Sequence, residues 1–196
     1  MLTWLKRWTD RRQKARSLYG SIVTQARPRT FYADWGVPDT AAGRFEMIAL
    51  HLVVVLHRLG QAGRPGRRLA QALTETFAVD LDDNLREMSV GDLAVPRHVK
   101  RAVGALQDRY TAYRAALAAP GDAPLAAAIA ARLAPAGADG GLDARQICAY
   151  IRQAGDRLDR LPSDEVLAGR VGWPQIDAAE PDVGGGRRVT EGEHAG

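Results

Sequence analysis

The run ALHLVVVLHRLG, residues 49–60, constrains the fold more than any other stretch of the 196-residue chain. It is too short for a membrane span, which needs about 20 consecutive apolar residues. Arg44 and Glu46 stand just upstream, and His57 and Arg58 close it. The pattern predicts a helix. Asp39 or Thr40 can cap its start just after Pro38, and Gly60 can supply the left-handed residue that ends helices. Phe45, Ala49, Leu52, Leu56 and Leu59 recur as one apolar stripe, while Leu50, Val53 and Val54 make other faces apolar too. A helix that is apolar most of the way round is either buried between other helices or offers surplus surface to a partner. If one side stays uncovered, the side of Leu50, Val53 and His57 is the candidate.

The rest of the chain supports an all-α fold. Ala, Arg, Leu and Gly are abundant, aromatic residues make up 6%, and runs of β-branched residues are few. The length suits a single globular helical domain with a sizeable core. Residues 1–29 read as a basic amphipathic helix or arm, 30–174 as the domain, and 175–196 as a disordered tail, since Gly, Asp, Glu and Arg dominate it without periodicity. Asp80 to Asp92 (DLDDNLREMSVGD) is expected to be a polar, turn-rich interval. QAGRPGRR, residues 61–68, is expected to be a turn whose Pro65 opens the next helix. Further helices are predicted from Pro96 to about Leu117, over about 125–133 and over about 143–160, with Ser163 capping a last short turn before Trp173.

Charge is unevenly distributed. Eight of the 27 Lys and Arg fall within residues 1–29, against only Asp10 of the 23 Asp and Glu, so the remainder is slightly acidic. That is not the pattern of a uniformly basic nucleic-acid domain, but a basic arm can touch anionic lipid or RNA. In the leader, Leu2, Leu5, Trp8, Ala15, Leu18, Tyr19 and Ile22 recur at helical spacing, opposite Lys6, Arg7, Asp10, Arg11 and Lys14. With Trp4 and Trp8 near its start, this helix suits a lipid interface, and the same stripe equally suits docking on the domain. Trp4, Leu5, Trp8, Arg11 and Arg12 are the membrane-contact candidates. The lone Cys148 excludes an internal disulfide, and the start of the chain lacks the apolar core of a secretory signal.

Several kinds of site chemistry find little support. Asp80, Asp82 and Asn84 open like a calcium loop, but Leu85 replaces its glycine and Gly91 its closing glutamate. His51 and His57 are six residues apart, about 120° around a helix, and do not share a metal as i and i+4 histidines do. GRPGRR lacks the Lys-Ser/Thr ending of a phosphate loop. No catalytic, cofactor-binding or metal-ligating residue is nominated. Asp80, Arg86, Glu87 and Asp92 read as a charged network fixing a turn between helices. Arg64, Arg67 and Arg68 read either as a solvated turn or as guanidinium forks for acidic groups or phosphates.

An ordered series of short pieces across residues 31–117 resembles the ubiquinol-cytochrome c chaperone family. The pieces are Phe31-Tyr32, GVPDT (36–40), Arg44-Phe45-Glu46, the His51 helix, Gly63 to Arg68, Asp80, LREMSVGD (85–92) and Tyr113. The resemblance implies a non-enzymatic helical chaperone, without cofactor, that binds newly made cytochrome b and assists its assembly into the ubiquinol-cytochrome c reductase complex. On that reading Leu50, Val53, His57, Arg64, Arg67 and Arg68 are the client-binding candidates, and the chain sits in the cytoplasm, peripheral to the inner membrane. Neither DNA nor a small-molecule substrate is expected. The resemblance implies that mitochondrial members work with a small partner and near the ribosomal exit tunnel; here the leader is short and the Ala-rich region and tail match nothing in that pattern, so the resemblance leaves a small partner and the ribosome as open, weakly supported contacts. An RNA- or ribosome-binding helical adaptor is the competing reading of the basic leader and arginine turn.

Overall fold

The computed structural model describes residues 2–87, 94–134 and 141–176, with side chains from residue 8 onward except that of Leu85. Among these residues the chain forms eight helices and no strand: α1 (Leu2–Gln25), α2 (Arg29–Ala33), α3 (Ala41–Gln61), α4 (Gly63–Glu87), α5 (Val95–Ala118), α6 (Ala123–Leu133), α7 (Ala144–Arg160) and α8 (Ser163–Leu167). The all-α expectation holds. No described helix is long and apolar enough to cross a membrane. The tail beyond residue 176 and Asp92 lie outside the described residues.

Helix α3 is the axis of the bundle, touching α1, α4, α5, α6 and α7. This explains its sequence. A helix with neighbours on nearly every side gains from apolar residues all round, and every residue from Ala49 to Val55 is buried. Leu50 and Val53, on the side expected to stay uncovered, are each only 1% exposed, and His57 is half-buried beside Gln61. Among the α3 candidates for client contact, the two apolar ones are therefore core residues.

Thr40 begins α3: its hydroxyl accepts the Gly43 N–H at 3.1 Å, while Asp39 instead pairs with Arg44 at 2.7 Å. Thr40→Ala is expected to lower stability by about 1 kcal/mol, the usual worth of an N-cap, read as a shift of the urea midpoint at constant slope. The end of α3 differs from expectation. Gly60 stays helical, and the positive φ falls at Gly63 (67°), so Ala62 alone joins α3 to α4. GRPGRR thus opens α4, with Pro65 in the first turn, where a proline's missing N–H costs nothing. Gly66 allows the tight crossing, because a Cβ there would stand 2.0 Å from the Leu59 carbonyl oxygen.

Helix α4 also runs further than expected. Asp80 to Glu87 continue it, with the Asn84 amide reaching back to Asp80 O at 2.6 Å. Of the residues expected to form a charged network across a turn, Asp80, Arg86 and Glu87 lie on this helix, and Asp92 lies outside the described residues. Asp80 accepts the Tyr19 hydroxyl at 2.8 Å, tying α4 to α1, and Arg86 pairs with Asp82 one turn back at 2.7 Å. Glu87 is exposed. A helical Asp80–Glu87 cannot wrap a calcium ion as a loop does.

Helices α5, α6 and α7 start close to where they were predicted, α5 with Pro96 in its first turn and α7 capped by Asp143 on Gln146 N at 2.9 Å. Ser163 does not cap α8. Pro162 holds that position, and the Ser163 hydroxyl accepts from Arg58 at 3.2 Å. Along the leader, Ala15, Leu18, Tyr19 and Ile22 join the core, while Trp8 remains 37% exposed.

Candidate functional site

Three polar constellations and two grooves stand out. The first constellation joins α3 to α5. Glu46, 1% exposed, receives the Arg109 guanidinium at 2.6 Å on one carboxylate oxygen and the buried Tyr113 hydroxyl on the other. Arg109 also lies 5.0 Å from the centre of the Phe45 ring. A buried carboxylate persists only when its lone pairs are met in this way. Burial and the Glu46 charge raise the Tyr113 hydroxyl's pKa, so it stays protonated and donates.

The second constellation surrounds His51. Its Nδ1 lies 2.7 Å from the Met47 carbonyl oxygen, which can only accept, so Nδ1 carries the proton and Nε2 is the acceptor. The Tyr150 hydroxyl donates to that Nε2 at 2.9 Å and in turn accepts from the Gln25 amide at 3.0 Å. Gln25 also donates to Pro174 O at 3.1 Å, bringing the C-terminal segment onto α1. Phe31, Trp35 and Trp173 pack edge-on around the His51–Tyr150 pair, with ring centres 5.1–6.0 Å apart. Burial without a nearby charge pushes His51 down to about 4, so it is neutral at pH 7.

The third is Arg58, 7% exposed, which donates to Leu158 O at 2.9 Å and Leu161 O at 2.7 Å. It satisfies carbonyls at the end of α7 that the helix cannot pair itself. In sequence Arg58 looked like the polar edge of the apolar run, and nothing local marks it as buried. Cys148 is likewise buried, and burial raises its thiol pKa, as expected of an inert cysteine. Among the described residues no group of three His, Cys, Asp or Glu side chains is placed to hold a metal.

One groove, of about 580 Å³, opens beside the aromatic cluster and is lined by Thr30, Trp35, Gln146, Ala149, Tyr150, Gln153, Gln175 and Ile176. Among the described residues its lining carries no charged side chain. Amides, hydroxyls and aromatic faces of this kind suit a neutral chain segment better than a phosphate or a metal. The second groove, of about 310 Å³, lies where α1 crosses the first turn of α4 and includes Arg11, Lys14, Arg64, Arg68, Leu69 and Leu167. The leader cations and the α4 arginines are far apart in sequence, and the fold brings Arg11, Arg64 and Arg68 to one place. Arg67 is exposed between Arg64 and Arg68 on α4, and Arg12 stacks over Trp8 at 4.2 Å. Trp4 and Leu5 lie on α1, but their side chains fall outside those described.

Residues 33–173 match the family described as ubiquinol-cytochrome C chaperone. The chain belongs to that family. Its members are assembly chaperones for ubiquinol-cytochrome c reductase, and the fold agrees: the chain is similar to a solved structure, the Cbp3 homolog from Brucella abortus, at 32% identity and a TM-score of 0.78, over 92% of this chain and all of that one. It is also 25% identical over 171 residues to the ubiquinol-cytochrome c reductase complex assembly factor 1 of Drosophila melanogaster. That alignment takes in 82% of this chain but only 64% of the fly protein's length. Several of the short pieces that carry the family resemblance have physical roles. Glu46 and Tyr113 close the α3–α5 latch, Phe31 and His51 build the aromatic cluster, and Asp80 ties α4 to α1. Each holds helices together, and none of these side chains is presented to solvent as an open recognition surface except in part Asp80.

Proposed function

We propose that this protein is a non-enzymatic assembly chaperone that holds newly made cytochrome b on its way into the ubiquinol-cytochrome c reductase complex, working at the cytoplasmic surface of the membrane. The observation that carries this reading is the match of residues 33–173 to the chaperone family together with the fold shared over 92% of the chain with the Brucella abortus homolog. A client segment needs a seat, and the α3 side first nominated is occupied by core packing. The uncharged groove of Trp35, Tyr150, Gln146 and Gln153 supplies one: aromatic faces for apolar side chains, and amides for a backbone not yet paired in the bilayer.

Deleting the gene is expected to lower cytochrome b and reductase activity together, read by immunoblot and quinol-dependent cytochrome c reduction. Normal levels of both would overturn the chaperone reading. Ala149→Glu places a charge in the groove at an exposed position of α7. Crosslinking to cytochrome b is expected to fall severalfold, since a desolvated charge opposes an apolar client, while the thermal midpoint is unchanged. Undiminished crosslinking would move the client elsewhere on the surface.

A further inference from the structure

We propose that the groove between α1 and the first turn of α4 seats the headgroup phosphate of an anionic phospholipid, so that this face is the one the protein turns to the bilayer. The proposal rests on the membrane-surface part of the reading above and names its contact. Four cations converge there from two elements distant in sequence: Arg11 and Lys14 on α1, Arg64 and Arg68 on α4. Among the described residues Asp10 is the only carboxylate in the lining, and it is engaged by Lys14 at 2.7 Å. Among the described residues no carboxylate pairs with Arg11, Arg64 or Arg68.

Concentrating unpaired guanidinium groups costs repulsion unless an anion or solvent screens it, and an oxyanion held between forked donors is the natural complement. The first turn of α4 holds no acidic residue, so the helix's positive end adds to the same field.

The apolar part of the lining decides between phosphate carriers. Leu69, Leu167 and Pro65 share the groove with the cations. Apolar atoms beside clustered cations match the glycerol and first methylenes of a lipid, whereas a nucleic-acid backbone gains nothing from them. Trp8 points the same way. It is one of two large apolar side chains among the described residues that stand clearly exposed, and it lies three residues before Arg11, on the same helix face. An indole beside cations is the usual anchor at headgroup depth.

The test is cosedimentation of the full chain with phosphatidylcholine vesicles, with and without phosphatidylglycerol. Binding is expected only with the anionic lipid and should weaken with added salt. The double substitution Arg64→Glu with Arg68→Glu should weaken it by about tenfold or more, and Trp8→Ala severalfold. Arg97→Glu with Arg101→Glu makes the same change in net charge on exposed positions of α5 and should leave most of the binding intact. Unchanged thermal midpoints show that each variant is folded.

Equal loss from the two double variants would overturn the groove in favour of net charge. Vesicle binding by neither wild type nor variants would overturn both the groove and the membrane location, with the cytochrome b reading still decided by the deletion strain. Failure to bind vesicles, combined with capture of single-stranded RNA that is lost in Arg64→Glu with Arg68→Glu, would reassign the groove to RNA.

Discussion

Glu46→Ala is expected to cost the domain about 3–5 kcal/mol, seen as a large fall in the urea midpoint with the slope preserved. The magnitude comes from what remains after the change. Arg109, whose side chain is 17% exposed, loses the carboxylate that offsets its partial burial, and the Tyr113 hydroxyl loses its acceptor inside a core where the residue is only 1% exposed. Each unmet group carries its own desolvation cost. Glu46→Gln should cost less, because an amide oxygen can still accept from Tyr113 while only the charge is lost. Removing Arg109 together with Glu46 should cost less than the sum of the single losses, since no charge is then left without a partner. A loss below about 1 kcal/mol for Glu46→Ala would mean that the latch contributes no more than an ordinary hydrogen bond.

Acidification is expected to destabilise the fold through His51. Buried among Phe31, Tyr150 and Trp173, its imidazole is held down to about 4, whereas in the unfolded chain it titrates near its ordinary value of 6.5. As pH falls the unfolded chain therefore takes up the proton first. The neutral ring costs nothing above about pH 6.5; stability then declines through the window down to about 4, by roughly 3 kcal/mol in total. The hydrogen bonds explain why the folded state resists. A proton on Nε2 would face the Tyr150 hydroxyl that now donates to it, and that hydroxyl would have to turn while it also accepts from Gln25. Urea unfolding at about pH 7 and about pH 4 measures the difference, and His51→Gln, which cannot take up the proton, should flatten the slope in that window. The same slope in His51→Gln as in the wild type would place the acid sensitivity in other groups.

Helical class, the start of α3 at Thr40 and the places of α5, α6 and α7 were legible because they depend on local chemistry. The 3.6-residue period, a hydroxyl or carboxylate at an N-cap and a proline in a first turn are all written within one or two turns of chain. The ends of α3 and α4 were not. Gly60 could end a helix, but Gly66 lets α4 cross close enough for α3 to run on to Gln61. Asp80 to Glu87 look like a turn by composition, yet they remain helical where the Tyr19 hydroxyl, 61 residues away, occupies Asp80.

Function divides in the same way. The family-like pieces could be read in order along the chain, but their work as latches appears only when Glu46 meets Tyr113 and His51 meets Tyr150 across the bundle. Leu50 and Val53 have the side chains of a contact surface and of a core alike; the helices packed around α3 make them core. By itself the sequence determined which segments are helical and which faces are apolar or basic, because those follow from residue spacing. Only the tertiary structure decided which apolar faces are covered and that Arg11, Arg64 and Arg68 share one groove, because both depend on contacts between residues far apart in the chain, for which no local spacing carries a signal.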